Sequence, residues 1–158
     1  MYQVMEKIVH PLYGAGVIES LEEKEVEGLL QTYYVLQIPV GNLKIMISAA
    51  KAESQGIRGI HHPDEIVGII SGIVDTQIEM SDNWNQRYKE NMERIKSGQL
   101  SEVSLVYRNL LLRERERGLS TAEKKLMTTS KQIILSELIL SKGIDRTEAE
   151  VLLENIFG

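Results

Sequence analysis

Near Gly56 the hydrophobic period of this 158-residue chain changes from two towards 3.6, which limits it to a strand-rich half joined to a helical half. Before that point, β-prone runs alternate with turn signals. Lys7-Ile8-Val9-His10 is a short run stopped by Pro11, and Gly14-Ala15-Gly16 reads as a flexible turn before Val17 to Leu21. Glu22 to Gly28 reads as a charged connection. Tyr33 to Ile38, rich in aromatic and branched residues, predicts a strand, and Val40-Gly41-Asn42 predicts a turn before the strand Leu43 to Ile47. Four or five short strands in about 50 residues leave no room for a sandwich, so a small, strongly bent barrel of the SH3 or Tudor type is the economical solution.

After Gly56, helix caps mark most of the boundaries. Pro63 suits the first turn of a helix carrying Ile66, Val67, Ile69, Ile70, Ile73 and Val74. Ser81 or Asp82 can cap a helix that contains Trp84 and ends at Gly98. Ser101 opens another, closed by Gly118. Ser120-Thr121-Ala122-Glu123 fits a capping box ahead of a long amphipathic helix ending near Gly143. Asp145 to Glu148 repeats that logic for a last helix bearing Val151, Leu152, Ile156 and Phe157. The expected fold is therefore α+β, with a small N-terminal SH3/Tudor-like β-barrel over residues 1–56 and a compact five-helix C-terminal domain over 57–158. The joint is expected near Ser54 to His61.

With no cysteine, disulfides, thiol catalysis and zinc–cysteine sites are excluded. His61 and His62 are adjacent, so they point in different directions and lack the i,i+4 spacing of a helical metal site; they read as a linker or helix-start feature. Gly14-Ala15-Gly16 leads into a strand, so no helix N-terminus awaits a phosphate there. There is no Walker loop and no Gly-x-Ser-x-Gly elbow. The expectation is a binding protein without cofactor, metal or small-molecule substrate. The start, Met1 to Lys7, lacks the pattern of a signal peptide, and no apolar run approaches the roughly 20 residues of a membrane span. A cytoplasmic location with no membrane partner is expected.

A formal charge of −5 does not suggest nucleic-acid binding, but the charge is unevenly distributed. Gly59 to Asn83 holds no Lys or Arg, whereas Trp84 to Arg117 carries eight cations against five acids. A local basic surface forms if folding gathers those cations on one face; the alternative is a salt-bridged, solvated helix pair. Trp84, the one tryptophan, opens this region beside Arg87 and Lys89. At a helix start it can wedge against bases while the cations hold phosphates. The spacing of Trp84, Tyr88 and Ile95 also fits a buried stripe, and taken alone that pattern favours burial.

Val9-His10-Pro11-Leu12-Tyr13-Gly14-Ala15-Gly16-Val17-Ile18 resembles the opening of the CarD/CdnL family of bacterial RNA-polymerase-binding proteins. Tyr33 to Leu36 and Leu43 to Ile47 look like its next strands, Asn83 to Asn91 like its wedge-tryptophan segment, and Arg115 to Lys125 like a turn between its later helices. The resemblance implies a Tudor-like domain that docks on the polymerase β subunit, through Lys24, Lys44, Ile45, Met46 and Ile47. Along the last four, either Ile45 and Ile47 or Lys44 and Met46 would face the partner. It also implies a helical domain at the upstream edge of the transcription bubble. There Trp84 would insert into the minor groove, Arg87 and Lys89 would lie on the backbone, and Lys124 and Lys125 would help across the bundle. The implied function is a non-enzymatic transcription regulator that stabilises open promoter complexes and reaches the nucleoid through RNA polymerase. The alternative is a polymerase-binding adaptor that does not contact DNA. The same module occurs in the transcription-repair coupling helicase, but its motor needs a phosphate loop that these residues lack. Two positions depart from the family pattern: Gln86 stands where a further basic residue is frequent, and Ser48 where proline is.

Overall fold

The computed structural model describes residues 1–76 and 79–158. Strands β1 (Lys7–His10), β2 (Gly14–Val26), β3 (Leu29–Ile38), β4 (Leu43–Ser48) and β5 (Arg58–Gly59) form one antiparallel sheet in the order β4-β3-β2-β1-β5. The edges β4 and β5 are not paired with each other, so the expected barrel is an open sheet. A register shift between Ile18 and Ser20 interrupts the β2–β3 ladder, the kind of bulge that bends a strand. Period-two alternation puts Tyr34, Leu36 and Ile38 of β3 on one face, where they bury with Ile8, Ile18 and Ile47. Because β5 pairs with β1, the sheet extends past Gly56 to Gly59.

Two readings of this half change. Glu22 to Gly28 is not a loose connection: β2 runs on to Val26, and only Glu27 and Gly28 turn the chain before β3 begins at Leu29. Both have positive φ, 53° and 79°, the pattern of a type I′ hairpin turn. Nor is Gly14-Ala15-Gly16 a turn. It is the paired start of β2, and the missing side chain of Gly14 admits a helix from the other half.

Helices α1 (Pro63–Ser71), α2 (Trp84–Lys96), α3 (Leu100–Glu116), α4 (Thr121–Lys142) and α5 (Arg146–Phe157) make up the second half. The caps explain the boundaries. His62 accepts from the Asp64 N–H at 3.1 Å at the start of α1, Asn83 caps α2, Ser120 caps α4, and Asp145 and Glu148 cap each other at α5. Gly143, at φ 65°, ends α4 in the left-handed conformation. The long α3 starts at Leu100, so Ser101 lies inside it, and Ile73 and Val74 fall beyond the end of α1. Ile66, Ile70, Ile95, Val106, Leu110, Ile134, Leu135 and Leu138 are among the core of this half. Among the described residues no helix is long and apolar enough to cross a membrane.

The halves are joined where α4 crosses the start of β2. The Ala15 N–H donates to Ser136 Oγ at 2.8 Å, and Gly14 leaves no room for a side chain against that hydroxyl. One residue on, the fully buried Glu137 receives both ends of the Arg58 guanidinium, at 2.8 and 3.0 Å, and the His61 N–H at 2.8 Å. Arg58 also donates to the Gly98 carbonyl at 2.7 Å, so β5, α4 and the α2–α3 turn meet at one residue. Burial alone would raise the Glu137 pKa. The hydrogen bonds and charge of Arg58, with the His61 contacts, outweigh it and hold the carboxyl below its ordinary range.

Gly14 has φ +100°, and an added Cβ would sit 2.5 Å from Ser136 Oγ. Gly14→Ala should therefore destabilise the protein by about 2–4 kcal/mol, combining overpacking with left-handed backbone strain. Gly28→Ala, at φ +79° with nothing near it, should cost only about 1 kcal/mol of backbone strain. Urea titration of the two variants beside the parent measures the difference.

Candidate nucleic-acid interface

A residue in the first turn of a helix has its Cα–Cβ bond tilted back past the helix start, so a bulky side chain there leans outward unless another element covers it. Trp84 opens α2 and is left 51% exposed. A large aromatic left half in water is uncommon for a stable fold. The buried stripe that its spacing allows is not formed by Trp84, although Tyr88 and Ile95 do pack into the helical core.

The loop ahead of Trp84 is held at several points. Asn83 Oδ1 accepts from the N–H groups of Asn85 and Gln86 at 3.0 and 3.2 Å, and Ser81 Oγ accepts from the Asn83 N–H at 3.2 Å. The first turn of α2 contains no acidic residue, so its positive dipole end is not neutralised from within the helix.

Arg87 departs from expectation. It is 4% exposed, and its guanidinium grips Glu123 with two bonds, from Nε at 2.6 Å and from Nη2 at 2.8 Å. Its Nη1 donates to the backbone carbonyls of Ser81 at 2.8 Å and Asp82 at 3.3 Å. A guanidinium so engaged has no free fork for a phosphate, and the assignment of Arg87 to the DNA backbone does not survive. Glu123 was expected to complete a capping box with Ser120. Ser120 does accept from the Glu123 N–H at 3.2 Å, but its hydroxyl donates to the carboxylate, whose remaining capacity goes to Arg87. The box is half formed because the longer-range partner takes the acid.

Other cations of the basic stretch are similarly absorbed. Arg94 pairs with Glu102 at 2.7 Å, Arg108 donates to the carbonyls of Ile73 and Thr76, and Arg115 donates to Gly158. The stretch therefore forms a smaller basic surface than its charge count suggests. Lys89, Lys124 and Lys125 are exposed, and among the described residues they form no ion pair. The Arg87–Glu123 contact joins the first turns of α2 and α4. It thus brings together the elements that carry Trp84, Lys124 and Lys125. Gln86 bonds to Glu90 along the exposed face of α2 at 3.1 Å.

In the sheet, β4 is an edge strand, with one row of backbone groups unpaired by any other described strand. The two faces of β4 differ in exposure. Ile47 is buried and Ile45 packs on the same inner cluster, whereas Lys44 and Met46 are exposed. Ile47 is thereby removed from any surface role. Lys24 reaches across β3 to place its Nζ 3.5 Å from Met46 Sδ, so Lys24, Lys44 and Met46 share the outer face. Lys44 pairs with Glu19 at 3.1 Å. Ser48 is buried at the end of β4 with φ −62°, the angle a proline ring imposes, so the serine keeps the backbone that proline would.

The Glu123 carboxyl is held below its ordinary range chiefly by the Arg87 hydrogen bond, against the opposing effect of burial, with Ser120 adding to the depression. A carboxyl whose folded pKa lies below its unfolded value contributes stability that is complete above about pH 5 and is lost as pH falls through the folded value. Glu123→Gln should lower stability at pH 7 by about 2–3 kcal/mol, since the amide keeps part of the contact to a buried arginine. The variant's stability should also fall less steeply than the parent's below about pH 5. Denaturant titrations from pH 7 to pH 3 measure both effects.

Residues 2–61 match the family model described as the CarD-like/TRCF RID domain, and residues 69–154 match that described as CarD, C-terminal domain. A protein of Bacillus subtilis (strain 168) named "Putative transcription factor YdeB" is 34% identical over 151 residues, covering 96% of this chain and 97% of that protein. Two family models in series and a relative aligned nearly end to end agree with the two halves seen in the fold: the chain belongs to the CarD/CdnL family.

Proposed function

We propose that this protein is a transcription regulator that docks on the RNA polymerase β subunit through its sheet. On that reading it stabilises the open promoter complex by wedging Trp84 at the upstream edge of the bubble. The observation that carries it is the half-exposed Trp84 at a helix start whose approach loop is held at several points. A wedge works by replacing base stacking lost in distorted DNA, and it costs least where the step is already open. No acidic residue in the first turn of α2 would repel a phosphate beside it. Lys124 and Lys125 are the fourth and fifth residues of α4, near the end where cations oppose the helix dipole. Placing them at that end makes sense if they meet phosphate. Lys89 completes the cationic set.

The acidic total makes weak intrinsic DNA affinity acceptable, because docking on polymerase raises the local concentration of promoter. Docking through the β4 edge supplies main-chain hydrogen bonds, with Lys44, Met46 and Lys24 setting specificity from the outer face. The adaptor that ignores DNA leaves the exposed tryptophan and the lysines on α4 without a role.

Trp84→Ala should fold with an unchanged melting temperature, because an exposed side chain contributes little to the core. Open complexes should close roughly five- to more than a hundredfold faster, as expected from losing about 1–3 kcal/mol of stacking, while binding to intact duplex changes little. Filter-binding decay of heparin-challenged complexes gives the rate. Undiminished lifetimes would return the protein to the adaptor reading.

Met46→Glu together with Lys44→Glu should abolish capture of the β subunit without altering the melt of the helical half. Capture by an isolated β-subunit fragment, with circular dichroism of both forms, measures this. Retention of capture would move docking away from the β4 edge.

A further inference from the structure

A buried arginine–carboxylate pair is a poor device for stability alone, since apolar residues of similar volume serve as well or better. What apolar residues cannot do is hold backbone carbonyls of a neighbouring loop by hydrogen bonds. Arg87 uses Nε and Nη2 on Glu123, and Nη1 on the carbonyls of Ser81 and Asp82. Those two carbonyls belong to the loop that delivers the chain into Asn83 and Trp84. On the other side, Glu123 is itself fixed by the Ser120 hydroxyl at 3.1 Å and sits in the first turn of α4. A continuous path of hydrogen bonds therefore runs from the start of α4, through Glu123 and Arg87, to the loop before the tryptophan.

We infer that Arg87, with Glu123, is a positioning residue for Trp84: it clamps the Ser81–Asp82 loop to α4 and so holds the exposed indole in one outward pose. The inference rests on the wedge reading of Trp84. An indole free to sample several directions would lose that freedom on insertion, and a clamp removes the loss beforehand. Arg87 acts through the loop and touches no DNA. Lysine cannot replace it, because one ammonium on a flexible stem cannot reach a carboxylate and two carbonyls in a planar fork.

The lone tryptophan makes the clamp measurable in the free protein. Arg87→Lys should increase the fast, local component of Trp84 fluorescence anisotropy decay, with overall tumbling unchanged. In promoter assays it should shorten open-complex lifetime about threefold or more, the scale expected from lost preorganisation. That effect should vanish when Trp84→Ala is already present, and capture of the β subunit should not change. Should Arg87→Lys fail to fold, Glu123→Gln is read by the same three measurements. An anisotropy decay identical to the parent's overturns the clamp, as does a lifetime loss that persists without Trp84. The wedge reading fails separately: Trp84→Ala would then leave lifetimes untouched, while the anisotropy still decides whether Arg87 restrains the indole.

Discussion

Carboxylates buried on one helix must find positive partners, and that requirement organises this molecule. α4 carries Glu123 near its start and Glu137 in its second half, both shut off from water. Each is gripped by two nitrogens of an arginine from a different part of the chain, Arg87 from α2 and Arg58 from β5. Breaking either pair strands a charge in the interior, a loss of about 3–5 kcal/mol for a fully buried case. Apolar packing brings the helices together without direction; the paired charges specify which segment lies against which turn. α4 is thus a spine, with about 21 Å of helical rise between the two glutamates.

From that spine the two surfaces of interest project. At one end the Glu123 pair holds the first turn of α2 and the loop before Trp84. At the other, Glu137, Ser136 and the small residues of β2 seat the sheet whose free edge is β4. Polymerase docking and the wedge are proposals that this geometry makes mutually useful. A rigid link between a docking edge and an aromatic probe converts binding of one into placement of the other.

How much of this was legible in sequence depended on range. Pro63, Ser120, Gly143 and Asp145 act on their own helix ends, so local chemistry predicted the helices well. The inner halves of β2 and β3 are legible as strands, but the outer half of their hairpin is not, because it is charged and its pairing is set by a two-residue turn at Glu27 and Gly28. Gly14 and Gly16 read as a turn, whereas Gly14 allows close approach to α4, a contact more than a hundred residues away in sequence, and Gly16 lies tight against Gln37, Leu36 and Ile38 of β3. Arg87 was misassigned for the same reason. Nothing near it in sequence announces Glu123, 36 residues on, and a capping-box motif already explained that acid. Periodicity taken alone favours burial of Trp84, which is instead half exposed, because a stripe spacing reads the same whether or not its first member is covered.

The central claim is that Trp84 is an outward probe for opened DNA, and a photo-crosslinking residue in its place tests this most directly. With p-benzoyl-phenylalanine at position 84, complexes of polymerase and promoter are irradiated in the open and closed states and the adducts mapped. The account predicts crosslinks to bases at the upstream edge of the bubble in open complexes, and none to those bases in closed ones. Crosslinks to polymerase alone, or equal DNA adducts in both states, would contradict it.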